Sequence, residues 1–258
     1  PRVRHVLIVL AVFALVGSVS GGSARADSAP DATAASFVRV CSDPAPGDFA
    51  CFALRRTTGV IANMPAGVNA AAAVSGYGPA DIDDAYKRPT SNGAGRLVAI
   101  VDAQDDPNAA SDLNTYRAQF GLSACTTANG CFRKVNQTGA KSPLPATNTG
   151  WAGEIALDLD MVSAVCPNCS ILLVEAKTSA NSDLGTAVNT AVSMGAKYVS
   201  NSYGSTESSD GPATEAAYYQ HAGVAITVSA GDDGYGVEFP AASQYVTAVG
   251  GTSLNMSG

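Results

Sequence analysis

Two carboxylates four residues apart, Glu154 and Asp158, stand in the run Gly150-Trp151-Ala152-Gly153-Glu154-Ile155-Ala156-Leu157-Asp158-Leu159-Asp160-Met161-Val162-Ser163-Ala164-Val165-Cys166-Pro167. From Gly153 on, apolar residues interleave with good helix formers and Cys166-Pro167 supplies a stop, so the pattern predicts a helix. Positions i and i+4 share a helix face, where two like charges repel by roughly a few tenths of a kcal/mol when exposed and by more when desolvated. In a buried cleft the two carboxyls can share one proton, giving an acid and a base that titrate as a unit. The structural alternative is a solvated helix edge, since ion networks without catalytic work also perturb carboxylates.

Other nucleophile and base combinations fail on counting. The two histidines are His5, near the start, and His221, inside a predicted helix with no Ser or Asp at motif spacing, so neither receives a role. A general base must be a carboxylate. Six cysteines fall in three close pairs, Cys41 with Cys51, Cys125 with Cys131, and Cys166 with Cys169. In an exported chain these read as short-loop disulfides, although sequence alone leaves the connectivity open. One Cys-x-x-Cys with no second pair or nearby His is thin support for zinc, and no metal site is assigned.

The elements that would position the carboxylates alternate. Leu97-Val98-Ala99-Ile100-Val101 is a continuous apolar run closed by Asp102, as in a buried parallel strand with a carboxylate at its carboxyl end. Ser111 to Phe120 reads as a helix capped by Ser111, and Ser123 to Thr149 as a surface loop or hairpin. Strand 171–174, helix 183–194, strand 197–202, helix 213–221, strand 224–229 and strand 246–249 follow, after a short helix at 80–86. The alternation implies an α/β fold, a mostly parallel sheet with helices on both faces. Ligands in such sheets bind beyond the carboxyl ends of the strands, where Asp102, Tyr203 and Asp232 fall.

Composition frames these elements. The 258 residues are 46% hydrophobic, ample for a core. A basic start, an apolar run from Val6 to Val19 and Ala24-Arg25-Ala26 form a secretory signal expected to be cut after Ala26. Residues 27 to 75, rich in Ala, Ser, Asp and Pro with one Cys-bracketed island ending near Arg56, read as a partly disordered leader or pro-segment; residues 76–258 form the main domain. Formal charge is −7, and signal removal takes away only bases. Nucleic acid and anionic membranes are poor partners for that surface. The expectation is a secreted monomer with no membrane attachment after signal cleavage.

With these residues in view, the stretch from Gly76 onward resembles the sedolisin family of serine-carboxyl peptidases, a branch of the subtilisin-like fold. The resemblance rests on Gly153-Glu154-x-x-Leu157-Asp158, Ser200-x-Ser202-Tyr203-Gly204, Ser229-Ala230-Gly231-Asp232, Phe239-Pro240-Ala241-Ala242-Ser243 and Val246-Thr247-Ala248-Val249-Gly250-Gly251-Thr252, in the family's order. It implies acid-pH cleavage of polypeptide substrates. Glu154 would take the proton of a nucleophilic serine, with Asp158 behind it. Asp232 would serve the oxyanion hole, which an Asp can do only when protonated; the alternative for Gly-Asp-Asp-Gly is plain turn chemistry. Asp102 would support the carboxylates, and Ser202, Tyr203 and Gly204 would pair with extended substrate.

The family's nucleophile lies in a Gly-Thr-Ser-x-x-x-Pro segment, with calcium ligands after it. Ser253 in Gly251-Thr252-Ser253-Leu254 has no Pro behind it and is read as a decoy. The expectation is therefore a peptidase domain incomplete at its C-terminus, without nucleophile or calcium ligands in this chain, and inactive in this form. Two alternatives remain: a non-catalytic secreted binding domain on the same fold, and a glycosidase using Glu154 and Asp158 across a cleft. Trp151 could suggest a sugar platform, but reads as a packing residue at the helix start.

Overall fold

The computed structural model describes residues 36–58, 76–87, 93–207, 212–252 and Leu254. The signal expected at 1–26 and Ser253 lie outside the described residues. Six parallel strands form the main sheet: β4 (Leu97–Ala103), β5 (Phe132–Asn136), β6 (Ser170–Ala176), β7 (Tyr198–Asn201), β9 (Ala225–Ser229) and β10 (Thr247–Val249), in the order β10-β9-β7-β4-β6-β5. Four short strands complete the count, β1 (Ser36–Arg39), β2 (Ala50–Cys51) and β3 (Leu54–Thr58), and β8 (Tyr203–Gly204) just after β7. The helices are α1 (Pro79–Tyr86), α2 (Ala109–Gln119), α3 (Thr149–Val165), α4 (Asn181–Ser193) and α5 (Pro212–Tyr219).

β4 and β6 are continuous apolar runs because both faces of the sheet are covered. Alternation sorts their side chains. Ala99, Val101, Leu172 and Val174 pack with Leu184, Ala187, Val188 and Ala191 of α4. Ile100, Ile171 and Leu173 pack with Leu113 of α2 and Ile155, Leu159 and Val162 of α3. Asp102 and Glu175, in register across β4 and β6, continue the second set and face the α3 layer. The chain runs out from β4 through β5 and β6, then returns to the other side through β7. That reversal opens a crevice at the carboxyl ends beside β4.

The structure departs from the sequence reading at several places. The helix expected from Ser111 begins at Ala109 with Asn108 as its N-cap. The surface loop or hairpin expected over 123–149 instead contains β5, a full edge strand parallel to β6. Its residues Phe132-Arg133-Lys134-Val135-Asn136 hide in sequence because only Phe132 and Val135 are buried. Finally, α3 starts at Thr149, ahead of Gly153, because Asn148 Oδ1 accepts hydrogen bonds from Gly150 N at 2.9 Å and Trp151 N at 3.1 Å.

Residues 36–58, inside the stretch read as leader, are folded. β1 and β3 pair antiparallel, and β2, which lies between them in sequence, pairs antiparallel with β8. Sulfurs are bonded in the three short loops, Cys41–Cys51, Cys125–Cys131 and Cys166–Cys169. Among the described residues, no helix is long and apolar enough to cross a membrane.

Candidate active site

The buried face of α3 carries both carboxylates of the opening motif. Glu154 is 1% exposed and Asp158 8%, against Asp102 at 0% on β4. Ser202, in the break between β7 and β8, donates its hydroxyl to Asp158 Oδ1 at 2.9 Å. The Ala53 amide donates to Glu154 Oε2 at 2.6 Å, and the Phe52 amide also favours the charged form of that carboxyl. Asp158 Oδ2 and both oxygens of Asp102 find no hydrogen-bond partner among the described residues. An ionised carboxylate left so would be costly, so these groups favour the protonated form.

Titration follows from that packing. Burial, then the charge of Asp158, push Glu154 up to about 8, against the opposing pull of the Ala53 and Phe52 amides. Burial likewise takes Asp158 up to about 7, with the Ser202 hydrogen bond pulling the other way. Asp102 is raised well above the usual carboxylate range, by burial first and then by Asp158, Glu154 and Glu175. The cluster therefore holds protons at neutral pH and can both take and give one. A general acid and base in one unit needs that property.

The other expected residues have more varied places. Tyr203 is fully buried, its hydroxyl donating to Asn201 Oδ1 at 2.9 Å, while the backbones of Tyr203 and Gly204 pair with Cys51 and Ala50. Asp232 sits on an exposed bend after β9 and has no direct hydrogen bond to the carboxylate cluster. Its pKa is raised by burial, with Arg39 lowering and Asp233 raising it, and its charge acts on Glu154 at a distance. Trp151 is a packing residue, with its ring centroid 6.5 Å from that of Tyr203. His221 Nε2 is taken up by Asn189 Oδ1 at 2.8 Å and Tyr218 O at 3.1 Å.

Sequence reasoning missed two contributors. Ala53 carries no chemistry in its side chain, and only the fold reveals its amide on Glu154. Glu175 is fully buried next to Asp102 and is pushed up to about 8 by burial, with Lys134 opposing. Lys134 Nζ lies 3.3 Å from Glu175 Oε1 and also pairs with Asp105. The signal was present: Glu175 ends an apolar run as Asp102 does. Among the described residues, no group of three or more His, Cys, Asp or Glu side chains is placed to hold a metal ion.

Comparison with known proteins agrees on one family. The model of the subtilase family matches residues 93–257. Kumamolisin from Bacillus sp. (strain MN-32) is 33% identical over 204 residues, covering 71% of this chain and 35% of its own length. The chain thus spans about a third of that curated relative. The solved structure of Pseudomonas sedolisin, a serine-carboxyl proteinase complexed with two molecules of pseudo-iodotyrostatin, is 26% identical with a TM-score of 0.58. The match covers 70% of this chain and 55% of that one.

Proposed function

We propose, from the premise that this chain belongs to the subtilase family and to its sedolisin branch, that it is the Glu/Asp-bearing part of an exported serine-carboxyl endopeptidase acting at acid pH. The observation carrying the reading is the buried Glu154, Asp158 and Asp102 cluster, whose carboxyls keep protons up to neutral pH. A serine hydroxyl adds to the substrate carbonyl while Glu154, as the ionised partner in a pair whose shared proton rests on the neighbouring carboxyl, takes its proton and then gives it to the leaving nitrogen. Asp158, fixed by Ser202, holds and tunes Glu154 from behind; buried Asp102 keeps the shared proton from being lost. Protonated Asp232 would donate to the oxyanion. Water releases the acyl group by the same steps in reverse.

The nucleophile would come from a Gly-Thr-Ser segment outside residues 1–258, as would calcium ligands; calcium enters none of these steps. Ser202, Tyr203 and Gly204 would receive polypeptide substrate by strand addition. Signal 1–26, leader 27–75 and peptidase domain from 76 onward complete the proposal, with a monomer in solution. Membership of a peptidase family sets the glycosidase reading aside.

The test is to quench the full-length protein during turnover of an activated peptide ester near pH 4 and map the adduct by mass spectrometry. An acyl group on a serine, absent in Glu154→Gln, is the expected result. An adduct on any other residue type, or one that persists unchanged in Glu154→Gln, would overturn the mechanism.

A further inference from the structure

We infer that Glu175, anchored by Lys134, is a positioning residue of the candidate active site, acting on Glu154 and Asp158 through the charge it presents to Asp102. The inference rests on the peptidase reading for the reaction that Glu175 serves. It needs no ligand beyond the substrate of that reaction.

The sheet lines these groups up. Asp102 of β4 and Glu175 of β6 are partners in register, and Lys134 of β5 pairs with Leu173, two residues before Glu175 and on the same face. That face carries Phe132, Ile171 and Leu173 into the layer of α2 and α3. Asp102 and Glu175 are both fully buried there. Glu175 Oε1 accepts from the Asp106 amide at 3.2 Å and lies 3.3 Å from Lys134 Nζ. Lys134 also donates to Asp106 O at 2.6 Å and pairs with Asp105, so one edge of the Glu175 carboxyl is fixed. Its other oxygen, Oε2, and both oxygens of Asp102 have no hydrogen-bond partner among the described residues. The two acids therefore act on each other through charge.

Lys134 does not need this second carboxyl. Asp105 already pairs with it, and an apolar residue at 175 would continue the buried run Ile171-Leu172-Leu173-Val174 without the cost of desolvating an acid. What Glu175 adds is a like charge beside Asp102. Burial pushes Glu175 up to about 8, with Lys134 lowering and Asp105 raising it, so it ionises over the same range as Glu154. Other ionisable groups near the row are Tyr203 of β8 beside Asp102, Asp112 of α2, which acts on Asp106, and Asp232, which acts on Glu154. Glu154, Asp158 and Asp102 share the protons they keep, and a negative charge at 175 raises the pH at which the last one leaves.

The test uses the full-length protein and Glu175→Gln, which keeps the shape of the side chain and removes its charge; should that variant fail to fold, Glu175→Met takes its place. The first reading is peptide cleavage against pH, each profile scaled to its own value near pH 4. The alkaline limb of the variant should lie about 0.5–1 pH unit below that of wild type. An unmoved limb, or a loss equal at every pH as for a residue that serves the fold alone, overturns the inference. The second reading needs no turnover. In protein carrying carbon-13-labelled aspartate and Glu154→Gln, the infrared band of the protonated Asp102 carboxyl is assigned by its absence in Asp102→Asn. Adding Glu175→Gln should lower the midpoint of that band by at least about half a pH unit. A band that titrates alike with and without Glu175 overturns the inference. Wild type that cuts no peptide at any pH counts against the peptidase reading, and the Asp102 band then decides the charge coupling by itself.

Discussion

Replacing Asp158 by Asn should make the protein more stable at pH 8 and leave it unchanged near pH 3.5. The amide keeps the shape of the carboxyl and can still accept from Ser202 Oγ, but it carries no charge into the buried cluster. Burial holds the Asp158 carboxyl at about 7 against its ordinary 3.8, and Glu154 at about 8 against 4.5. A group that titrates higher in the folded than in the unfolded chain contributes its full stabilisation below the unfolded value. That contribution is lost as pH rises through the folded value. Wild type should therefore lose stability from about pH 4 to pH 8. Each decade of proton affinity corresponds to about 1.4 kcal/mol, so Asp158 alone sets a ceiling of about 4 kcal/mol. Because the carboxyls titrate together, the expected gain for Asp158→Asn at pH 8 is about 2–4 kcal/mol, falling below about 0.5 kcal/mol at pH 3.5. Urea unfolding followed by the fluorescence of Trp151, the chain's single tryptophan, measures both. A variant less stable than wild type at pH 8, or the same offset at both pH values, would refute the reasoning.

Three further outcomes follow from the packing. Lys134→Met strips the buried Asp105 and Glu175 of their cation and should cost about 3 kcal/mol at pH 7 by urea titration; a loss below about 1 kcal/mol would count against the pairing. Arg117 is 1% exposed and donates to Ser123 O, Ser163 Oγ and Pro167 O, so Arg117→Ala should cost about 3 kcal/mol by urea titration. Phe49 is buried with its ring on Tyr203 and Phe239, so Phe49→Ala should cost about 3–5 kcal/mol; a melting series that shows a loss below about 1 kcal/mol would count against that packing.

What the sequence made legible follows from burial. β4, β6 and α3 were readable because both sheet faces are covered and their apolar runs are unbroken. β5 was not, because an edge strand buries only Phe132 and Val135, while Lys134 between them pairs with Asp105 and Glu175. Glu154 and Asp158 were readable as a pair from helix spacing, whereas the side of β4 that Asp102 faces required the parity of the whole sheet. The Ser202–Asp158 hydrogen bond joins residues 44 apart in sequence, and the Ala53–Glu154 bond residues 101 apart. No local pattern encodes such contacts, and Ala53 acts through a backbone amide that any non-proline residue could supply.

The central claim is that Glu154 and Asp158 work as one proton-sharing unit in peptide hydrolysis. Its most direct test is cleavage of denatured protein by the full-length enzyme near pH 4 and near pH 8, in wild type and Glu154→Gln. The account predicts cleavage at the lower pH that is lost as pH rises through about 8, where the shared proton leaves, and lost at both in the variant. Full activity near pH 8, or activity that survives Glu154→Gln, would contradict it.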